Sequence, residues 1–465
     1  MTDRREFIKK SLMAAGAAAT AAPLEMVMAS CSPAPEKRIS ISGVDSNFER
    51  EPLIRPFGFK GGYLTELWQT VSRLESSSGV RTTGLCTQSI LWSDESVFAS
   101  HSEAGGNALM YAITERALQM VNGQSFTLPY VLLDEILPEL YSYGCGITAN
   151  PRLRKTFVLN SLVGLDNALW LLYAGENKIT TFDGLIPEAC KPAFSFRHDR
   201  VAGIPLMAYT VPVEEIKATA EEGYFVMKIK IGQPGTQEEM LEKDKERLSA
   251  IHKAIGNVET PWTENGRLPY YFDANGRYEK RETLMMFLEH AKHIGAFDQI
   301  VIIEEPFPEE METDVRDIPV RLAADESAHT AEDAIRRIEM GYGAIALKAI
   351  AKTLSMTMKI AQAAYERNIP CFCADLTVNP VLVEWNRNVA ARLSPFPGMG
   401  SVGLMESNGH QNYLNWDSML KYHPRSDAPW IGIRKGFYEL DREYYRTGGG
   451  IFDPIPHYES MFAES

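Results

Sequence analysis

Six charged residues, each at the edge of a short apolar run, constrain this chain more than any other feature of its sequence. Lys228-Ile229-Lys230 comes first, and the period of a strand puts both lysines on one face. Asp273 follows Tyr271-Phe272 and leads into Ala274-Asn275-Gly276. Glu304 ends Ile302-Ile303 ahead of Glu305-Pro306. Asp325 follows Ala323-Ala324 and precedes Glu326-Ser327, and Lys348 closes Ala346-Leu347. A further run, 370–374, ends at Asp375. Positions 273, 304, 325, 348 and 375 are 31, 21, 23 and 27 residues apart. Helical sequence is expected between the runs, at 236–255, 281–294, 331–340 and 354–367 among others. A parallel α/β barrel of about 250 residues allots roughly 30 residues to each strand–helix unit and carries its chemistry at the C-terminal strand ends. The expectation is one such residue per strand end. An open doubly wound sheet would carry a glycine-rich phosphate loop after its first strand, and none is present.

At 465 residues the chain exceeds one ordinary core, so two domains are expected. Before the barrel, strand-like patterns give way to helical ones. Residues 67–74 alternate, 77–79 can turn, and 80–91 can return as a hairpin partner. Helices are expected over 107–121, where Asn122-Gly123 suits a C-cap, and over 132–143 and 155–173. This reads as a small α+β unit. From 204 the rhythm becomes strand–helix, with 204–211 the first barrel strand. An insertion, 256–269, separates the second and third strands.

Asp, Glu and Asp offer hard carboxylate oxygens with no His or Cys in the pattern. That favours Mg²⁺, with Mn²⁺ the alternative, over zinc. A divalent ion at Asp273, Glu304 and Asp325 could hold a substrate carboxylate and neutralise the charge that builds when its α-proton leaves. The base would be a lysine whose pKa falls toward neutrality, Lys230 pressed by Lys228 and by the metal's charge. Lys348, several strands around the barrel, would face the site from the other side. Lysines on opposite faces suit removal of a proton from one face and its return to the other, which is racemisation or epimerisation. The plainer readings are a solvated strand face for the lysines and loop caps for the acids; the ordered series weighs against both.

The ordered set Lys-x-Lys, Asp-x-Asn, Glu-Glu-Pro, Asp-Glu-Ser and Lys resembles the enolase superfamily, in its mandelate racemase/muconate lactonizing enzyme family, over residues 52–406. Residues 159–173, around Asp166 and Trp170, resemble that family's last capping helix. The resemblance implies an N-terminal α+β capping domain over 32–203, a modified TIM barrel, (β/α)7β, over 204–411, and a C-terminal segment, 412–465, packing on the cap. It implies Lys230 and Lys348 as opposed acid/base groups with Lys228 as helper, and Asp273, Glu304 and Asp325 as ligands of Mg²⁺. Asn275, Glu305, Glu326, Asp375 and Glu406 are candidates for supporting the metal or touching substrate, and Glu326 is expected to pair with Lys348. Arg55, Lys60 and Trp92 lie where the family's loops close over substrate. The substrate would be a small carboxylate such as an amino-acid derivative or dipeptide, and the family is often homo-oligomeric. Two departures stand out. Ala349-Ile350-Ala351-Lys352-Thr353 replaces a glycine-rich segment after Lys348, and Gly403-Leu404-Met405-Glu406-Ser407 lacks the Asp-x-Asp pair of dipeptide epimerases. The alternatives are a lyase, cycloisomerase or dehydratase on a carboxylic or sugar acid, and an exported binding protein without catalysis.

A net charge of −14 argues against nucleic acid or an anionic membrane surface as the main partner. Asp3-Arg4-Arg5-Glu6-Phe7-Ile8-Lys9 resembles a bacterial twin-arginine export signal, followed by the alanine-rich run 11–22. That places residues 1–31 outside the fold and the protein in the periplasm or on a membrane. Met28-Ala29-Ser30-Cys31 has the form of a lipoprotein cleavage site, with Cys31 as acylated N-terminus, although Pro23 and Glu25 depart from that pattern. The other five cysteines are irregularly spaced and form no disulfide framework, and Cys371-Phe372-Cys373 reads as core packing. His101, His198, His329 and His410 have no ligand spacing and read as surface or loop residues.

Overall fold

Two sheets organise the chain, one antiparallel and one nearly all parallel. The structure is a computed structural model and describes residues 37–59 and 62–462. The export signal, Cys31 and Lys60 lie outside the described residues, and from Arg38 onward the chain forms one compact unit.

The first sheet is a long hairpin, β1 (Ile39–Phe59) and β2 (Gly62–Ser76), extended by β3 (Arg81–Gln88) and by the short β4 (Ser125–Phe126). The turn between β2 and β3 has Gly79 at φ +92°. The helices that follow include α1 (Glu103–Val121), capped at Asn122 with Gly123 left-handed, α2 (Pro129–Thr148), α3 (Lys155–Ser161) and α4 (Val163–Asn177). Helix α4 lies on β3 so closely that a Cβ on Gly84 would sit 2.0 Å from the Gly164 carbonyl oxygen. Only glycine permits that approach.

The second sheet closes on itself. Strand β5 (Arg200–Ile204) pairs in parallel with β13 (Gly403–Glu406), and β6 (Leu206–Met207) pairs with β7 (Met227–Lys230). The two are one strand interrupted at Pro205, which has no N–H to donate; its carbonyl accepts from Lys228 N at 3.0 Å. The first barrel strand therefore begins before 204 and ends by 207, not at 204–211 as the sequence suggests. Between them run β8 (Tyr270–Asp273), β9 (Ile300–Glu304), β10 (Leu322–Ala324), β11 (Ala344–Leu347) and β12 (Cys371–Cys373), each beside its predecessor. Strands β7, β8, β11 and β13 are buried along their whole length, as parallel strands covered on both faces are. The short β14 (Phe437–Glu439) adds antiparallel to β5.

Crossover helices α5 (Val213–Glu221), α6 (Gln237–Ile255), α7 (Arg281–His293), α8 (Ala331–Met340), α9 (Leu354–Tyr365) and α10 (Pro380–Ala390) connect the strands. The segment from β9 to β10 is the exception. Helical sequence is expected between every pair of runs, yet among the described residues 305–321 form no helix. Pro306, Pro308 and Pro319 each remove a backbone donor from that span. No single described helix is long and apolar enough to cross a membrane.

The antiparallel sheet and the barrel are tied by buried polar contacts. Asp166 of α4 accepts from Ser355 N at 3.0 Å, at the start of α9, and Trp170 Nε1 donates to Ser355 Oγ at 3.0 Å. Burial pushes the Asp166 carboxyl up to about 6. The C-terminal segment reaches β1 and β2: Tyr413 OH accepts from Gln69 Nε2, and Asn47 Nδ2 donates to Met461 O, both at 2.9 Å.

Candidate active site

Apart from Lys228, inside β7, each residue of the charged series stands at or just past the C-terminal end of its strand, where side chains converge on the barrel mouth. Lys228 and Lys230 are buried on β7. Lys228 Nζ donates to Glu304 Oε1 at 2.9 Å and to Glu406 Oε2 at 3.1 Å, and pairs with Asp273 Oδ2 at 2.9 Å. Lys230 Nζ donates to Asp273 Oδ2 at 2.6 Å and to Asn275 Oδ1. Four strands on, at the end of β11, Lys348 Nζ donates to Asp325 Oδ2 at 2.5 Å and lies 4.5 Å from the Trp92 ring centre. In an eight-stranded barrel, four strands apart is directly opposite. Lys230, Lys348, Asp273, Asn275, Asp375 and Glu406 line one pocket of about 40 Å³, walled by Trp92, Phe57 and Leu206. Phe57 and Leu206 also wall a larger chamber of about 430 Å³ with Arg55 at its rim.

The remaining candidates fall in the same place. Glu305 Oε2 accepts from Asp325 N at 2.8 Å, and Glu326 Oε1 accepts from Asn275 Nδ2 at 3.0 Å. Asp375 N donates to Glu406 Oε2 at 2.9 Å, and the Asp375 carboxylate accepts from Asn408 N at 2.8 Å. Lys348 makes its ion pair with Asp325, the neighbour of the Glu326 expected as its partner. Glu406 is committed to Lys228 and two further donors.

Three residues escape sequence reasoning. Lys352, one helical turn beyond Lys348, is fully buried and donates to Asp325 O at 2.6 Å, with Asp325 Oδ1 at 3.2 Å. Tyr271 OH donates to Glu304; its place two residues before Asp273 puts it on the same inward face, a signal the sequence does contain. Asn408 bonds both Asp375 and Glu406. Two histidines that read as surface or loop residues are buried instead. His198 Nε2 is 2.8 Å from Leu393 O, and His329 pairs with Glu309. Each finds its partner on a distant segment, which local sequence does not reveal.

Charge at the barrel mouth does not balance. Seven carboxylates (Asp273, Glu304, Glu305, Asp325, Glu326, Asp375 and Glu406) are buried with four lysines (Lys228, Lys230, Lys348 and Lys352). Burial favours the protonated form of each acid, yet Lys228 and Lys230 outweigh it at Asp273, and Lys348 and Lys352 at Asp325, so both lie below the usual range. Three other acids move the other way. Burial and Asp273 raise Glu304 well above it, burial and Glu326 push Glu305 up to about 7, and burial and Glu406 push Asp375 up to about 7. Burial pulls the Lys348 pKa down, but Asp325 outweighs it and the net shift is upward.

Glu304, Asp325 and Glu326 each present an oxygen within 4.8 Å of the others. Asp273, expected as the third ligand, turns its Oδ2 to the two β7 lysines and stands outside that trio. A surplus of buried hard oxygens around a 4.8 Å cluster fits a small divalent cation, whose charge would offset what the lysines leave uncompensated.

Residues 212–415 match the family described as enolase C-terminal domain-like. No curated protein matches the chain in sequence. Among solved structures, a mandelate racemase/muconate lactonizing protein from Herpetosiphon aurantiacus is similar at TM-score 0.60 and 16% identity, over 86% of this chain and 96% of that one. A dipeptide epimerase from Enterococcus faecalis, complexed with Mg and L-Leu-L-Tyr, is similar at TM-score 0.56 and 16% identity, over 79% and 90%. An N-succinyl Arg/Lys racemase from Bacillus cereus is similar at TM-score 0.56 and 15% identity, over 81% and 89%. At such identities the likeness establishes the fold.

Proposed function

We propose that this chain, an enolase-superfamily protein of the mandelate racemase/muconate lactonizing family, is an isomerase that inverts the α-carbon of a carboxylate substrate, an amino-acid derivative or dipeptide, with Mg²⁺ as cofactor. The observation that carries this reading is the placement of Lys230 and Lys348 in the lining of one pocket, four strands apart. An α-carbon held between them would meet one amine on each face, and inversion requires that arrangement.

Glu304 and Asp325, with Asp273 or Glu326, would hold the cation. Bound there, it would supply positive charge to the substrate carboxylate as the α-proton leaves. The chain's own residues supply the rest. Lys230, steadied by Asn275, takes or returns a proton on one face, and Lys348, against the Trp92 ring, does so on the other. Were Asp325 to hold a cation, Lys348 would lose the anionic partner that keeps its proton in place. Lys228, among Asp273, Glu304 and Glu406, keeps its charge: burial opposes it, but those acids raise its pKa well above the ordinary value. Trp92, Phe57 and Leu206 exclude water, and the chamber beyond Phe57 leaves room for the part of the substrate remote from the α-carbon.

Proton NMR in D₂O with Mg²⁺, over pooled dipeptides, N-acyl amino acids and sugar acids, tests the reading. Loss of an α-proton signal together with inversion supports it. A new double bond or ring would replace it with the lyase or cycloisomerase alternative, and absence of both exchange and metal binding would leave an exported binding protein.

A further inference from the structure

Glu304 and Glu305 are adjacent, yet their side chains serve different spaces. Glu304 meets Lys228 and Tyr271 inside the barrel mouth. Glu305 has φ +39°, in the left-handed region that non-glycine residues rarely occupy. Glu305 lines another chamber, of about 460 Å³, together with Glu326 and Asn275. One oxygen is locked: Oε2 accepts from Asp325 N at 2.8 Å and from Ser327 Oγ at 3.0 Å. The other, Oε1, has no hydrogen bond, although Glu305 is only 3% exposed. Buried carboxylate oxygens are ordinarily satisfied, so a fixed, unpartnered one on a residue that lines a chamber is set to receive a ligand. Of the two arginines that line the chamber, Arg152 and Arg154, the latter is already paired with Glu309 at 2.6 Å.

From these observations we infer a second cation site on the outer side of the acid cluster, built on Glu305 Oε1 and the Glu326 carboxylate and reached through this chamber. Oxygen donors and surplus negative charge select a hard divalent ion, Mg²⁺ or Mn²⁺, that keeps several of its waters. Glu326 also approaches Glu304 and Asp325 within 4.8 Å, so it would be shared between the outer ion and the inner one. Paired ions bridged in this way sit about 3.5–4 Å apart. Lys230 and Lys348 line the substrate pocket and not this chamber, so the outer ion loads without crossing the substrate's space.

Mn²⁺ is the probe, with stoichiometry measured by equilibrium dialysis and coupling by electron paramagnetic resonance on the intact chain. Wild type is expected to bind two ions per chain and give a spin-coupled signal. Glu305→Gln should bind one and give only the isolated six-line spectrum, with an unchanged melting curve in the absence of metal. If Glu305→Gln does not fold, Ser327→Ala, which removes only the donor that locks Glu305, should weaken the second equivalent about tenfold and leave the first alone. One ion in wild type, two in Glu305→Gln, or loss of both ions in a folded Glu305→Gln would each overturn the site. Proton exchange in D₂O is read separately: one bound ion with exchange intact would remove the outer site and leave the isomerase reading standing.

Discussion

Where α10 meets the C-terminal segment, Arg387 donates to Glu384 Oε1 at 2.5 Å and to Trp430 O at 2.7 Å, with its guanidinium 4.0 Å from the Tyr438 ring centre. One arginine meets one glutamate there, both buried, with buried His423 Nε2 3.5 Å from the same Glu384 oxygen. At the strand ends, seven buried carboxylates share four lysines. A matched buried pair roughly offsets its own desolvation, so it can persist as architecture. A surplus cannot, unless protons or a bound cation make up the difference. Imbalance, more than burial of charge, marks the barrel mouth as the place where something binds.

The sharpest test of that contrast is to remove the lysines of the unbalanced cluster. Lys230→Ala and Lys348→Ala should each abolish inversion, with proton transfer slowed about 10²–10⁴-fold, while the chain stays folded. Each variant should still exchange the α-proton of one stereoisomer with D₂O, and not the same one. If both exchange the same isomer, the two lysines do not face each other across the substrate.

Arg387→Met should do the reverse. It leaves Glu384 buried with only His423 Nε2, 3.5 Å away, in place of the arginine, and should cost about 3–5 kcal/mol in urea unfolding. Inversion per folded molecule and Mn²⁺ stoichiometry should be unchanged. A loss under about 1 kcal/mol, or altered metal binding, would erase the distinction between the two clusters.

The smallest effect is on pH dependence. Burial, with Glu326 and Glu406, holds Glu305 and Asp375 up at about 7, above ordinary carboxylates near 4. Between roughly pH 4 and 7 the folded chain therefore holds protons that the unfolded chain has released, so metal-free stability should fall as pH rises through that window. Saturating Mg²⁺ compensates the ionised acids and should flatten the fall, adding about 2.7 kcal/mol at a hundredfold excess over Kd. Urea midpoints at the two ends of the window, with and without Mg²⁺, read this directly. Metal-free stability that rises with pH would contradict the surplus.

Much of this site is legible in residue order alone. Lys228, Lys230, Asp273, Glu304, Asp325 and Lys348 stand out because each closes a short apolar run, and strand ends of a parallel barrel point one way. Lys352 does not. A lysine one turn past Lys348 looks like a solvated helix start, and only the fold of 349–353 buries it against Asp325. The missing helix over 305–321 is partly legible in its prolines. The break at Pro205 is not, since its position depends on which strand lies on each side.

The sequence by itself determined the barrel and the inventory of charges at its mouth, because strand period and spacing are local properties that survive in one dimension. Tertiary structure decided how those charges are shared. Whether Asp273 faces the lysines or the acid trio, which oxygen of Glu305 goes without a partner, and whether an Arg–Glu pair balances depend on distances between segments up to about 180 residues apart, such as Lys228 and Glu406. Coulomb energy in a buried site changes steeply with such distances, and residue order does not encode them.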